Sequence, residues 1–86
     1  MDYEAILHTI VDDFIVHKDA LIVRKENKST KNNIFLLVCA EQEDVGRLIG
    51  KRGVIANAIR ELLNVAGKLE NKRVFLKFES LTETSE

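Results

Sequence analysis

The chain contains no proline, no tryptophan and one cysteine, and has only four glycines in 86 residues; each scarcity excludes something. A lone Cys39 cannot close an internal disulfide. No Cys-x-x-Cys pair or Cys/His cluster offers the ligand spacing of a zinc site, so neither a metal nor another cofactor is expected. Long apolar runs are missing too: the longest, residues 34–40, is seven residues, against the ~20 of a membrane-spanning helix. The first residues, Met1-Asp2-Tyr3-Glu4, are acidic where a secretory signal is basic and then apolar. A cytoplasmic protein without membrane contact is therefore expected. No proline-rich linker or internal repeat divides the chain, and its length suits one domain, assigned to residues 1–79 with a polar tail at 80–86. A core of that size leaves little room for a sequestered catalytic cleft.

A strong charge of one sign is also absent. Thirteen basic and fourteen acidic residues give a net charge of -1, which argues against coating nucleic acid through bulk positive charge. The charges are nevertheless segregated. Residues 1–23 hold Asp2, Glu4, Asp12, Asp13 and Asp19 against Lys18, whereas residues 45–60 hold Arg47, Lys51, Arg52 and Arg60 with no acid among them.

Apolar residues recur at helical spacing from Tyr3 through Ile6, Leu7, Ile10, Val11 and Phe14, which predicts a helix over residues 3–16. His8 and His17 fall at its surface or end, and Asp12-Asp13 point ~100° apart, so neither pair converges on a common atom. Leu21-Ile22-Val23, a polar cluster over residues 26–33 and the apolar run over 34–40 predict a hairpin whose second strand is central or covered on both faces. Cys39 is then expected as a small core residue rather than a reactive thiolate. Glu41 to Asp44 place acid in the first turn of a second helix striped by Val45, Leu48 and Ile49. Ile55, Ala58, Ile59, Leu62, Leu63 and Ala66 predict a third helix, with Gly67 as its C-cap. Val74, Leu76 and Phe78 alternate along a last strand over residues 73–78, before a frayed polar end over 79–86. The order is αββααβ.

Between the second and third helices, Gly50 and Gly53 bracket Lys51 and Arg52. Two glycines let the backbone turn sharply and approach a partner closely. The next helix aims its unpaired N–H groups and positive dipole end at the same place, which makes an anion seat. A generic exposed corner would also accept these residues. Other phosphate motifs do not fit: Gly46 to Gly50 has three intervening residues where a Walker loop needs four, and it continues with Lys51-Arg52 instead of Lys followed by Ser or Thr. No nucleophile is paired with a base, so an enzyme is not expected.

Leu48-Ile49-Gly50-Lys51-Arg52-Gly53, followed by Ile55, Ala56, Ala58, Ile59 and Arg60, resembles the KH signature, and more narrowly that of the small single-domain bacterial KH proteins of the KhpA type. The likeness runs from Asp44 through Arg60 nearly residue for residue. It implies an α+β type II KH domain, αββααβ, with a three-stranded mixed sheet packed against helices on one face. It also implies single-stranded RNA as ligand: in KH domains the Gly-x-x-Gly loop clamps the backbone of about four nucleotides. By position, the clamp is Gly50, Lys51, Arg52 and Gly53. Ile49, Val54 and Ile55 lie near the groove floor, with part of that set committed to the core, and Arg47 and Asn57 lie on the rim. Phe75 is the one aromatic candidate for stacking a base, simple packing being the alternative. Similar proteins form homodimers and pair with a larger multidomain KH-containing RNA-binding protein, so the resemblance implies either partner, and a post-transcriptional regulator or RNA chaperone. The competing reading is a protein-interaction adaptor in which RNA binding is secondary.

Overall fold

The first helix begins where Asp2 can cap it. Its carboxylate accepts from the Ala5 amide at 3.0 Å, which satisfies one of the donors a helix start leaves open. In the computed structural model, which describes residues 1–81, helix α1 spans Tyr3–Asp12 and buries Tyr3, Leu7 and Val11. It stops short of the expected residue 16. The Phe14 and Ile15 amides tighten back onto the carbonyls of Val11 and Asp12, and the next two amides, of Val16 and His17, donate to the two carboxylate oxygens of Asp44 at 3.1 and 2.9 Å. A partner distant in sequence thus replaces the helical acceptors, and Ile15 still enters the core. A 3-10 turn over Lys18–Ala20 leads into strand β1, Ile22–Lys25.

Strand β2 spans Asn33–Ala40 and β3 spans Arg73–Ser80. The sheet order is β1-β2-β3, with β1 antiparallel and β3 parallel to β2. Between β2 and β3 run helices α2 (Gln42–Ile49) and α3 (Val54–Lys68), the crossover a parallel pair requires. The architecture is the expected α+β one, a three-stranded mixed sheet with three helices. Ile34, Leu36, Val38, Ala40, Val74 and Leu76 form one core with Tyr3, Leu7, Val11, Leu48, Ile59 and Leu63. The alternate positions, Phe35, Leu37, Cys39, Phe75 and Lys77, occupy the opposite, open face. The unbroken apolar run of β2 reflects this central place: Leu37 is buried on the open face as well. Cys39 departs from expectation. It is half-buried beside Ile22 and Glu79 on the open face, outside the core cluster. Burial, followed by the charge of Glu79, raises its thiol pKa, so it is not a thiolate.

Two further expectations change at the end of α3. Gly67 does not cap the helix; it lies within it and is buried. A Cβ there would come within 2.6 Å of the Lys72 carbonyl oxygen and 2.9 Å of Val74, so glycine is required for β3 to enter close against the helix. Asn71, with φ 59°, makes the left-handed turn instead. β3 also runs past residue 78 through Glu79 and Ser80, and the Leu81 amide donates to Ala40; residues 82–86 of the expected frayed end lie outside the described residues. The Tyr3 hydroxyl donates to Glu70 at 2.6 Å and ties the start of α1 to this corner.

Candidate nucleic-acid interface

Helix α2 carries the Gly-x-x-Gly segment and is held from below. Leu48 is fully buried, and Asp44, equally buried, accepts the Val16 and His17 amides and pairs with Arg47. Burial alone would raise the Asp44 pKa, but the His17 and Val16 amides and the Arg47 guanidinium outweigh it and hold the carboxyl below its ordinary value. At Gly50 the backbone turns to φ 71°, ψ -176°, a region essentially reserved for glycine. A Cβ there would also lie 2.7 Å from Ile55 Cγ1. A single 3-10 turn, Lys51–Gly53, follows, with Arg52 at φ 55° and Gly53 at φ 76°.

The Gly53 amide donates to the Gly50 carbonyl at 3.3 Å and the Val54 amide to Lys51. No side chain caps either the turn or α3. Lys51 and Arg52 are exposed, and among the described residues no carboxylate pairs with either. An uncapped helix start with its dipole and two cations without a carboxylate partner therefore meet at one exposed corner, an arrangement that attracts an anion.

The remaining candidates are distributed around that corner. Ile49 and Val54 are exposed at its two sides, 38% and 64%, while Ile55 packs against the core. Arg47 is partly committed to Asp44 but keeps 43% of its side chain exposed. Asn57 lies next to the loop: its Nδ2 would be 3.7 Å from a Cβ at Gly53. Asn57 also begins a polar line on α3 that continues through Arg60 and Asn64, at i, i+3 and i+7. That spacing is visible in the sequence, yet Arg60 stands out there only through its charge and the motif, and Asn64 through neither. The line ends at a shallow groove of about 310 Å³ lined by Arg60, Asn64, Arg73, Val74, Phe75 and Leu76. Here β3 is the sheet's edge strand, and Arg60 donates through Nε and Nη2 to the Leu76 carbonyl, both at 3.4 Å, with its guanidinium 5.5 Å from the Phe78 ring centre.

A second surface was misread from periodicity. Ala58 and Leu62 were expected on the buried stripe of α3 but are exposed. With Val54, Val65 and Leu69 they form an apolar stripe, Leu62, Val65 and Leu69 being 57%, 59% and 77% exposed. At ~100° per residue these five positions span roughly 80° of the helix. Among the described residues no cluster of three or more His, Cys, Asp or Glu could hold a metal, and no helix is long and apolar enough to cross a membrane.

Known proteins resemble this chain over most of its length. The sequence profile of the family described as KhpA/KhpB, KH domain, matches residues 4–78. The RNA-binding protein KhpA of Listeria monocytogenes EGD-e is 34% identical over 74 residues, covering 86% of this chain and 95% of the relative. That of Oceanobacillus iheyensis is 32% identical over 73 residues, covering 85% and 95%. The RNA-binding protein KhpA of Borreliella burgdorferi is 39% identical over 71 residues, covering 76% and 83%. No solved structure matches the chain. The matched family is one of KH domains and not of enzymes.

Proposed function

The chain belongs to the KhpA/KhpB KH-domain family, and from that premise we propose that it binds single-stranded RNA in the cytoplasm as a post-transcriptional regulator or RNA chaperone. The observation that carries the reading is the loop itself, where Lys51 and Arg52 are exposed at the uncapped start of α3 and their side chains have no acidic partner among the described residues. Phosphates sit against Gly50, Lys51, Arg52 and Gly53. The bases lie along the side of α3 marked by Asn57, with Ile49 and Val54 as apolar walls and Arg47 on the rim. Two to four phosphate contacts correspond to a slope of log affinity against log salt of about -1.5 to -3.

So few contacts make a single domain a weak binder, and a second domain raises the effective affinity without new chemistry. The exposed stripe on α3 supports this. Val54, Ala58, Leu62, Val65 and Leu69 leave an apolar helix face in water, and such a face suits packing against a second KH domain, from another copy of this chain or from a larger multidomain partner. The same stripe is what favours the adaptor reading, in which the protein contact is primary.

Gly53→Asp separates the two readings. At φ 76°, ψ 15° an aspartate is tolerated better than most residues, and its Cβ meets nothing closer than Asn57, so circular dichroism should be unchanged while a carboxylate occupies the anion seat. RNA retention in gel-shift assays is expected to be lost; unchanged retention defeats the clamp. Leu62→Glu is expected to shift sedimentation toward the monomer and leave the intrinsic affinity for a short oligonucleotide intact.

A further inference from the structure

We propose that the open face of the sheet carries a second contact for the same RNA: a strand gripped at Gly50–Gly53 follows α3 to the free edge of β3 and stacks a base on Phe75. The proposal rests on the RNA-clamp reading above and extends it to a face on which no helix packs among the described residues.

Three observations meet at Phe75. The residue is 44% exposed, and its ring is held flat against Phe35, with centroids 4.8 Å apart and planes 14° from parallel. A ring fixed on one side by a neighbour loses little freedom when a base stacks on it, and stacking tolerates any base because each has a π-face. The surrounding charge suits a polyanion. Arg24, Arg73 and Lys77 share this face, and Lys28 sits 4.7 Å from the Phe35 ring centre; opposing them are Glu79, which pairs with Lys77 at 2.9 Å, and Glu26. Finally, the face is continuous with the clamp side. The groove at the β3 edge is lined by Arg60 and Asn64 of α3 together with Arg73 and Phe75. The line Asn57, Arg60, Asn64 connects that groove to the loop, ~15 Å along α3 from Val54 to Asn64.

Since a KH clamp covers about four nucleotides, the second contact should add affinity only to longer strands. The chain has no tryptophan, so Phe75→Trp installs a single reporter at the site. Its fluorescence is expected to be quenched on addition of random-sequence 10-mer oligoribonucleotides and unaffected by random-sequence 4-mers at equal occupancy. Phe75→Leu, which keeps apolar contact with Phe35 but removes the π-face, is expected to weaken 10-mer binding about tenfold and leave 4-mer binding and the circular dichroism spectrum as they were. Equal affinity of Phe75→Leu and the parent for 10-mers, equal loss for both lengths, or no quenching in Phe75→Trp by bound 10-mers overturns the proposal. So does a changed sedimentation coefficient in Phe75→Leu with RNA affinity intact, which assigns the face to a protein. Gly53→Asp, measured in parallel, tests the clamp alone: if it binds 4-mers normally the underlying reading fails, whereas a normal Phe75→Leu beside a defective Gly53→Asp removes only the sheet contact.

Discussion

Helices α1 and α3 face the same electrostatic problem at their first turns and meet it in opposite ways. At α1 the chain supplies its own anion: Asp2 accepts from Ala5, and Glu4 adds negative charge in the first turn. At α3 there is no side-chain cap and no acid in the first turn, and the residues that precede it are Lys51 and Arg52. One helix start is closed by the sequence around it. The other has the same dipole but no side-chain cap, and cations where α1 has carboxylates, a setting that favours an anion from outside. A helix N-terminus alone would say little, since α1 has one too; the difference between the two is what supports the proposed site.

The largest way to disturb this contrast is at the glycines that hold the open start in place, and they are not equivalent. Gly50 combines an ε-region backbone with a Cβ position 2.7 Å from Ile55, whereas a Cβ at Gly53 meets only Asn57 at 3.7 Å. Gly50→Ala should therefore destabilise by ~2 to 4 kcal/mol, backbone strain and overpacking together. Gly53→Ala should cost only ~1 to 2 kcal/mol, from its left-handed φ. Urea unfolding of the two variants measures the gap; equal losses would mean that contact with Ile55 does not shape the loop.

A smaller effect comes through Asp44, which supports the open start from beneath α2. Its carboxyl pKa is lowered in the folded protein despite burial, because two amides and Arg47 stabilise the charge. A depressed folded-state pKa contributes stability that is present above the unfolded value, about 3.9, and is lost as pH falls through the folded one. Glu70, lowered chiefly by the Tyr3 hydroxyl, acts in the same direction. Thermal stability should then decline below about pH 4. Asp44→Asn is expected to melt several degrees lower at pH 7 and to show a shallower acid decline; the parent slope retained in Asp44→Asn would remove Asp44 from the account.

Asp44 also illustrates how far the sequence could be read. The Gly-x-x-Gly segment, the hairpin and the αββααβ order were legible because each is a local signal: turn residues, strand alternation, helical spacing. Asp44 was read as first-turn acid, since nothing local reveals that Val16 and His17 are its partners, and the same contact explains why α1 ends at Asp12 while the apolar pattern continues. On α3, apolar residues outnumber the positions the core can cover. Periodicity could identify an apolar face but could not tell the part buried by Ile59 and Leu63 from the part left outside with Ala58 and Leu62. Gly67 misled for a related reason: a glycine near a helix end suggests a cap, and only the path of β3 reveals that it is needed for close packing.

The smallest and most discriminating effects come from exchanging single residues at the two helix starts. Asp2→Ala removes a cap and should cost ~1 kcal/mol of stability, with RNA affinity unchanged because Asp2 lies outside the proposed clamp. Arg52→Gly should do the reverse. Arg52 holds φ 55° without being glycine, a conformation costing ~1 to 2 kcal/mol, part of which glycine returns to the unfolded chain as added backbone entropy; the net gain should be at most ~1 kcal/mol. Affinity should fall, and the slope of log affinity against log salt should become shallower by about 0.7, the contribution of one phosphate contact on a single strand. Urea midpoints and a salt titration read the two quantities separately. A stabilised Arg52→Gly with weaker, less salt-dependent RNA binding means that this position trades stability for a phosphate contact. A parent-like salt slope would mean that Arg52 points its charge away from the strand and leaves Lys51 and the uncapped helix start to hold it.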